Sequence, residues 1–198
     1  TWSGWGWIGD DVWFAHGIHF NDEELRLLAQ TGTGVAHCPI SNMKLASGVA
    51  RIPEMLELGV PVGLAVDGSA SNDGSSLLEE LRMAFLLHRL TPSRRAPTGY
   101  DVLKMATRGS ARLLGRDDIG QLAEGKCADL FMIDARRLEL VGCGCGVGDL
   151  LGTVGVRGPV DYTVVHGRVT VEDGRLTTVD EEQLAREAEA KCRAYLAM

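Results

Sequence analysis

The chain has 198 residues, 45% hydrophobic and 24% charged, with a formal net charge of −7 and a pI of about 5.2. This composition suits a cytoplasmic globular protein of one domain, or one domain with a small appendage. The acidic balance argues against nucleic-acid partners, and no apolar run approaches the ~20 residues that span a bilayer. Trp2, Trp5 and Trp7 are interleaved with glycine and have no basic flank, unlike a signal peptide. The first residue is Thr1, so the sequence is expected to begin within a longer protein. The five cysteines (Cys38, Cys127, Cys143, Cys145, Cys192) have no framework spacing and are expected to be thiols. Cys143-Gly-Cys145 lacks the second pair that a soft-metal site would use.

The amino-terminal region alternates. Val12–Ala15 is a short apolar run, followed by a helix over Glu23–Thr31 that Asn21-Asp22 can cap. Gly34–Ala36 is the next run, then a polar turn around Pro39–Asn42. A helix over Ile52–Leu58 has Pro53 in its first turn and Gly59 just past its end. Pro61–Val66 is the third run, and Ser75–Leu90 carries Leu77, Leu78, Leu81, Phe85 and Leu86 at helical spacing. Three strand–helix repeats imply right-handed crossovers and a parallel sheet. The runs are apolar throughout, as expected of strands covered on both faces. A basic loop over Pro92–Pro97 precedes a helix from Thr98 to about Leu114.

The texture then changes. A turn at Ala123–Lys126 and a strand at Ala128–Ile133 are followed by two β runs hinged at His166-Gly167, with a second turn at Asp173-Gly174. Glu181–Met198 reads as a polar, alanine-rich helix. Residues 140–158, rich in glycine and valine, show no period and receive no assignment. Two regions follow: an α/β region over 1–114 and a β-rich region with a terminal helix over 115–198.

His16, His37 and Asp67 each follow one of the apolar runs. Reactive groups of parallel α/β folds gather where loops leave the carboxyl ends of the strands. The three runs therefore deliver two imidazoles and a carboxylate to one edge. A lone histidine after a strand is commonly a hydrogen-bonded loop residue, and Asp before Gly-Ser is commonly a turn former; the coincidence of three favours function. His19 falls off the strand pattern, and His88 and His166 read as structural or exposed. With no HxH or HExxH, this sequence falls short of the three protein ligands that a catalytic metal site needs.

The stretches WFAHGIHF, AHCPISNMKL, VGLAVDGSASNDGSSLLEELR and GQLAEGKCADLFMID, in this order, resemble the amidohydrolase superfamily. Within it they are similar to the cytosine-deaminase-like branch of metal-dependent aminohydrolases, with WIGDDVWFAHGIHF and VDYTVVHGRVTVEDGRLTTVD most like 8-oxoguanine deaminases. The resemblance implies the carboxyl-terminal part of a TIM (β/α)8 barrel plus part of a β-sandwich appendage. Since such barrels take roughly 250 residues, it implies that the three runs are the sixth, seventh and eighth strands. It further implies one divalent metal, zinc or iron, with Asp67 as a metal ligand that also moves protons. His16 would hold the attacking metal-bound hydroxide, and His37 and Asn42 would line the pocket on the substrate side or support its walls. The implied reaction releases ammonia from a small purine-like N-heterocycle, in an intact enzyme expected to be a homo-oligomer. The first-strand HxH, the fifth-strand histidine and the glutamate three residues beyond it have no counterpart in these residues and would precede Thr1. Residues 142–158 depart from the family pattern.

Two alternatives remain at this stage. One is a related triazine chlorohydrolase or S-adenosylhomocysteine deaminase; the other is a non-catalytic half-barrel needing a second polypeptide. A phosphate-binding β/α domain is disfavoured, because no glycine-rich cradle follows a strand.

Overall fold

The computed structural model describes residues 4, 6–90, 95–142 and 146–197. Cys143-Gly-Cys145 and residues 92–94 of the Pro92–Pro97 loop lie outside the described residues. The chain divides into two compact units, Thr1–Gln121 with Leu138–Val156, and Leu122–Arg137 with Arg157–Met198.

The first unit is α/β. Strands β1 (Trp13–Ala15), β2 (Gly34–His37) and β3 (Val62–Leu64) form a parallel sheet in that order, with Phe14 opposite Val35 and Val35 opposite Val62. Helix α1 (Asp22–Thr31) connects β1 to β2. The Asn21 side chain accepts from the amides of Glu23 and Glu24, while Glu24 reaches back to the Asn21 amide at 2.8 Å. This reciprocal cap satisfies donors that the first helical turn leaves open. Gly32 ends the helix at φ 73°, and Leu25 and Leu28 face the core. Helix α2 (Pro39–Lys44) follows β2, and α3 (Ile52–Leu58) leads into β3. Every residue of β2 and β3 is buried, as apolar central strands predict. The core is filled by Val35, Ile52, Met55, Leu81 and Val102, each at most 2% exposed.

After β3 come α4 (Ser69–Asn72), α5 (Leu77–Leu87) and α6 (Gly99–Lys104), which runs through a π-helical turn, Met105–Gly109, into α7 (Ser110–Leu113). The polar turn expected at Pro39–Asn42 is instead α2. Its Ser41 and Asn42 are buried, so its pattern mimics a loop while its inward face is polar for a reason given below. Helix α4 was hidden in the same way, being short and built from Ser69–Asn72. The α6–α7 passage matches the expected helix, and its π turn follows from close packing on β3. A Cβ on Gly109 would lie 2.1 Å from the Val62 carbonyl oxygen, so only glycine fits there. The Ser110 hydroxyl accepts from the Leu64 amide at 3.1 Å and lies 3.0 Å from the carbonyls of Leu64 and Met105. It thus partners backbone groups of β3 that no strand reaches. Ser110→Ala strands these groups and is expected to cost about 1–3 kcal/mol. For a chain of this size that lowers Tm by roughly 2–4 °C per kcal/mol; an unchanged melt would refute the role of this hydroxyl.

The unassigned stretch 140–158 is partly helical in the structure. A 3₁₀ turn (Leu138–Leu140), α8 (Val147–Asp149) and a π turn (Leu150–Val154) belong to the first unit, where the π turn packs on α5 and α6 and α8 packs on α6. No period is visible there because the contact runs through glycine backbone: a Cβ on Gly148 would meet the Tyr100 amide nitrogen at 2.4 Å.

The second unit is an antiparallel sheet, β4 (Leu130–Met132), β5 (Tyr162–Val165), β6 (Arg168–Glu172) and β7 (Arg175–Leu176), in sequence order, with helix α9 (Glu181–Leu196) capped by Asp180. Both expected turns are present. His166-Gly167 and Asp173-Gly174 have positive φ at both residues, as tight hairpins require. Arg137 Nη2 pairs with Asp161 Oδ1 at 2.8 Å, and Asp129 Oδ1 accepts from the His166 amide at 2.6 Å.

Candidate active site

The carboxyl ends of β1, β2 and β3 carry the titratable groups. His16 is the first residue past β1, His37 the last of β2, and Asp67 lies three residues beyond β3, slightly further than the apolar run implied. His16 and Asp67 share an uncommon feature: both adopt left-handed backbone, at φ 67° and 65°. Non-glycine residues hold that conformation at a cost of roughly 1–2 kcal/mol, and persist in it where surrounding contacts impose it. The chain therefore turns sharply at His16, just past β1, and again at Asp67, three residues past β3.

The two side chains meet. His16 Nε2 lies 3.8 Å from Asp67 Oδ2, with both groups about one-third exposed. His16 Nδ1 lies 2.8 Å from Asn42 Oδ1, on α2. A carboxamide oxygen only accepts, so Nδ1 carries the hydrogen and neutral His16 presents the Nε2 lone pair toward Asp67. Two lone pairs facing each other at this spacing, both partly open to solvent, can be bridged by a water or by a cation.

Asp67 Oδ2 accepts from the Ser41 hydroxyl at 2.5 Å and the Ser71 hydroxyl at 2.8 Å. These two bonds, with a third from the Gly68 amide and the nearby His16, hold its pKa down at about 2. Asp67 is thus a carboxylate across the physiological range.

Behind this exposed pair lies a buried polar layer. His37 has no exposed surface, and its Nε2 lies 3.2 Å from Nε2 of His88, the residue just past the end of α5. Burial, with the charges of neighbouring histidines against it, lowers the His37 pKa to about 3; burial likewise lowers that of His88 to about 4. Both rings are neutral near pH 7, one donating to the other. His37 Nδ1 and Asn42 Nδ2 are buried with no hydrogen-bond partner. Glu80, on α5, is fully buried; its Oε2 accepts from the Ile40 amide at 3.1 Å and its Oε1 from Asn72 Nδ2. Burial raises its pKa to about 7 against the opposing effect of those two donors.

The structure therefore brings together His16, Asp67 and Asn42, and places His37 directly beneath the edge with no open face of its own. His19 is exposed and takes no part, and His166 is exposed in the second unit. Sequence reasoning missed Ser41, Ser71, Asn72, Glu80 and the inward role of His88. Ser41 precedes Asn42, and Ser71 lies one helical turn beyond Asp67, but neither spacing distinguishes a carboxylate clamp from an ordinary turn.

Among the described residues, no group of three or more His, Cys, Asp or Glu side chains could hold a metal ion. A zinc site takes about four ligands. Asp67 and the Nε2 lone pair of His16 fit one corner of such a site, and the anionic, hydroxyl-clamped Asp67 suits a cation.

Comparison with known proteins decides the family. The model of the amidohydrolase family matches residues 5–170. The chain belongs to the amidohydrolase family. It is 46% identical to hydroxydechloroatrazine ethylaminohydrolase of Pseudomonas sp. (strain ADP), over 96% of this chain and 40% of that protein. It is 45% identical to 8-oxoguanine deaminase of Pseudomonas aeruginosa, over 97% of this chain and 42% of that protein. Among solved structures, atrazine chlorohydrolase from Arthrobacter aurescens TC1 complexed with zinc superposes with a TM-score of 0.89 at 35% identity, over 95% of this chain and 42% of that one. An adenosine deaminase from Xanthomonas campestris with bound zinc gives 0.90 at 28% identity, over 99% and 45%. This amidohydrolase chain thus spans about two-fifths of the length of these relatives. No helix among its described residues is long and apolar enough to cross a membrane.

Proposed function

We propose that this chain carries the strand-end residues of a zinc-dependent hydrolase that deaminates a purine-like N-heterocycle of the 8-oxoguanine or guanine type. The observation that carries the reading is the convergence of His16 Nε2 and Asp67 Oδ2, 3.8 Å apart at one edge of a parallel sheet. Its three strands then correspond to the sixth, seventh and eighth of a (β/α)8 barrel, with the second unit contributing to a β-sandwich. The named activities and bound zinc of the relatives support the same reaction class.

In this reading Asp67 is one metal ligand, and the remaining ligands come from residues outside these 198. A bound Zn²⁺ would lower the pKa of its water from about 15.7 to about 7. The residues of this chain manage protons and orientation around that water. His16, fixed by Asn42 with its Nε2 lone pair outward, accepts a hydrogen bond from the attacking water and holds it toward the ring carbon. Asp67 Oδ2 receives the proton and passes it to the leaving nitrogen. His37, closed off from solvent, supports the strand end from beneath, and Asn42 serves by orienting His16.

The test has two arms. The 198-residue chain with Zn²⁺ is expected to release ammonia from 8-oxoguanine, guanine or S-adenosylhomocysteine no faster than buffer, because its donors make only one corner of a metal site. The same chain joined to an amino-terminal segment supplying HxH and HxxE is expected to turn over at least one of them, with loss of activity on chelation. Turnover by the 198 residues alone would overturn the divided ligand set. A joined protein that binds zinc yet hydrolyses no such ring, including a chlorotriazine control, would overturn the reading as a whole.

A further inference from the structure

Glu80 is an acidic residue of the first unit with no exposed surface. A carboxyl with no exposed surface gives up its hydration, and such groups are retained where partners repay the desolvation. Its two hydrogen-bond partners in the structure lie on the two segments that flank Asp67. Oε2 accepts from the amide of Ile40, next to Ser41, whose hydroxyl grips Asp67. Oε1 accepts from the side chain of Asn72, next to Ser71, whose hydroxyl grips the same oxygen. The same Asn72 amide group lies 2.7 Å from the Val66 carbonyl, one residue before Asp67, and its Oδ1 accepts from the Ser75 amide. Each contact of Glu80 thus stops one residue short of a group that touches or carries the Asp67 carboxylate. A second tie joins the same segments on the outside, where Lys44 donates to the Ala70 carbonyl at 2.9 Å and pairs with Asp73 at 2.7 Å.

We propose that Glu80 is a positioning residue for Asp67: from α5 it braces the segments bearing Ser41 and Ser71, and so fixes where the carboxylate oxygens point. Its value to catalysis rests on the function proposed above, but its mechanical part does not. Glu80 reaches no reacting atom. It acts through Ile40 and Asn72, and it sits on the core-facing side of α5 with Leu81, Ala84 and Phe85, which anchors the brace. A misplacement of about 1 Å at a reacting group can reduce a rate on the order of 10²-fold, so a brace of this kind sets kcat more than substrate binding.

Glu80→Gln keeps the volume but offers a single acceptor oxygen, so Ile40 or Asn72 loses its partner and faces an amide donor. With the 198-residue chain at pH 7 and no metal, the ¹³Cγ resonance of Asp67 is expected to move, and exchange of the Ile40 or Ser71 amide to rise about tenfold. The ¹³Cγ resonance of Asp101, on α6, stays in place as the internal control. In the active, zinc-loaded protein, kcat is expected to fall about tenfold with KM within about twofold, and the visible spectrum of the cobalt-substituted form to shift. Asn72→Ala, which cuts one arm of the brace, gives changes of the same sign and guards against a Glu80→Gln protein that fails to fold. An Asp67 resonance, cobalt spectrum and kcat all unchanged in a folded variant would overturn the proposal, leaving Glu80 a core residue only. Absence of any zinc-dependent hydrolysis in the parent would overturn the function while the Asp67 resonance still tests the brace.

Discussion

Asp67→Asn is expected to lower kcat/KM of the active, zinc-loaded protein by about 10³-fold or more, with little loss of stability. The two halves of that expectation have separate causes. Asparagine is among the few residues that tolerate left-handed backbone, so the φ of 65° at position 67 is preserved. Its side-chain oxygen can still accept from Ser41 and Ser71, so the clamp survives. The charge is lost, and with it, in the function proposed above, a metal ligand and the group that receives the proton, a function typically worth 10² to 10⁴ in rate. Metal content measured on the purified variant separates the two losses. A variant retaining zinc but not turnover assigns the loss to proton transfer; a variant without zinc assigns it to ligation. A variant within tenfold of the parent would remove Asp67 from the mechanism.

Stability is expected to fall by about 1 kcal/mol between pH 6 and pH 5, measured by denaturant unfolding. The cause is the buried layer beneath the site. His37 and His88 have folded pKa values lowered to about 3 and about 4 from 6.5, so each contributes stability that is present above 6.5 and lost as the pH falls toward those values. Glu80 works in the opposite sense. Its folded pKa is raised to about 7 from 4.5, so its contribution is present below 4.5 and lost as the pH rises through 7. Near pH 5.5 the unfolded chain binds nearly two protons on the histidines and the folded chain nearly one on Glu80, a difference of roughly 2 − 1 = 1 proton, or about 1 kcal/mol per pH unit. Glu80 has no exposed surface, so solvent screening takes little from its share. Glu80→Gln removes the opposing proton and is expected to steepen the acid limb about twofold. An acid limb identical in the two proteins would show that Glu80 keeps its ordinary pKa and is hydrated in solution.

Much of the site could be read along the chain, because short apolar strands ending in His16, His37 and Asp67 declare themselves by composition. The α1 cap, the glycine stops at Gly32 and Gly59, and the hairpin turns at His166-Gly167 and Asp173-Gly174 were equally legible, since each depends on residues within one turn of the chain. What escaped was polar and inward-facing. Helix α2 looked like a loop because Ser41 and Asn42 serve Asp67 and His16 rather than solvent. Glu80 looked like one more acidic residue on an amphipathic helix, beside Glu79 in the first turn of α5. The helical stretch within 140–158 carried no period because glycine backbone, not side chains, makes its contact.

The order of the strands and of the longer helices, the edge to which the reactive groups go, and the membership in the amidohydrolase family were therefore determined by sequence alone, through patterns that repeat within a few residues. The distance between His16 and Asp67, the tautomer that Asn42 imposes, the neutral histidine pair and the bracing carboxyl were decided only by the tertiary structure. Each of these depends on groups between 8 and 51 residues apart in the chain. Burial then sets their protonation, and burial is a property of the packed core that no local stretch of sequence contains.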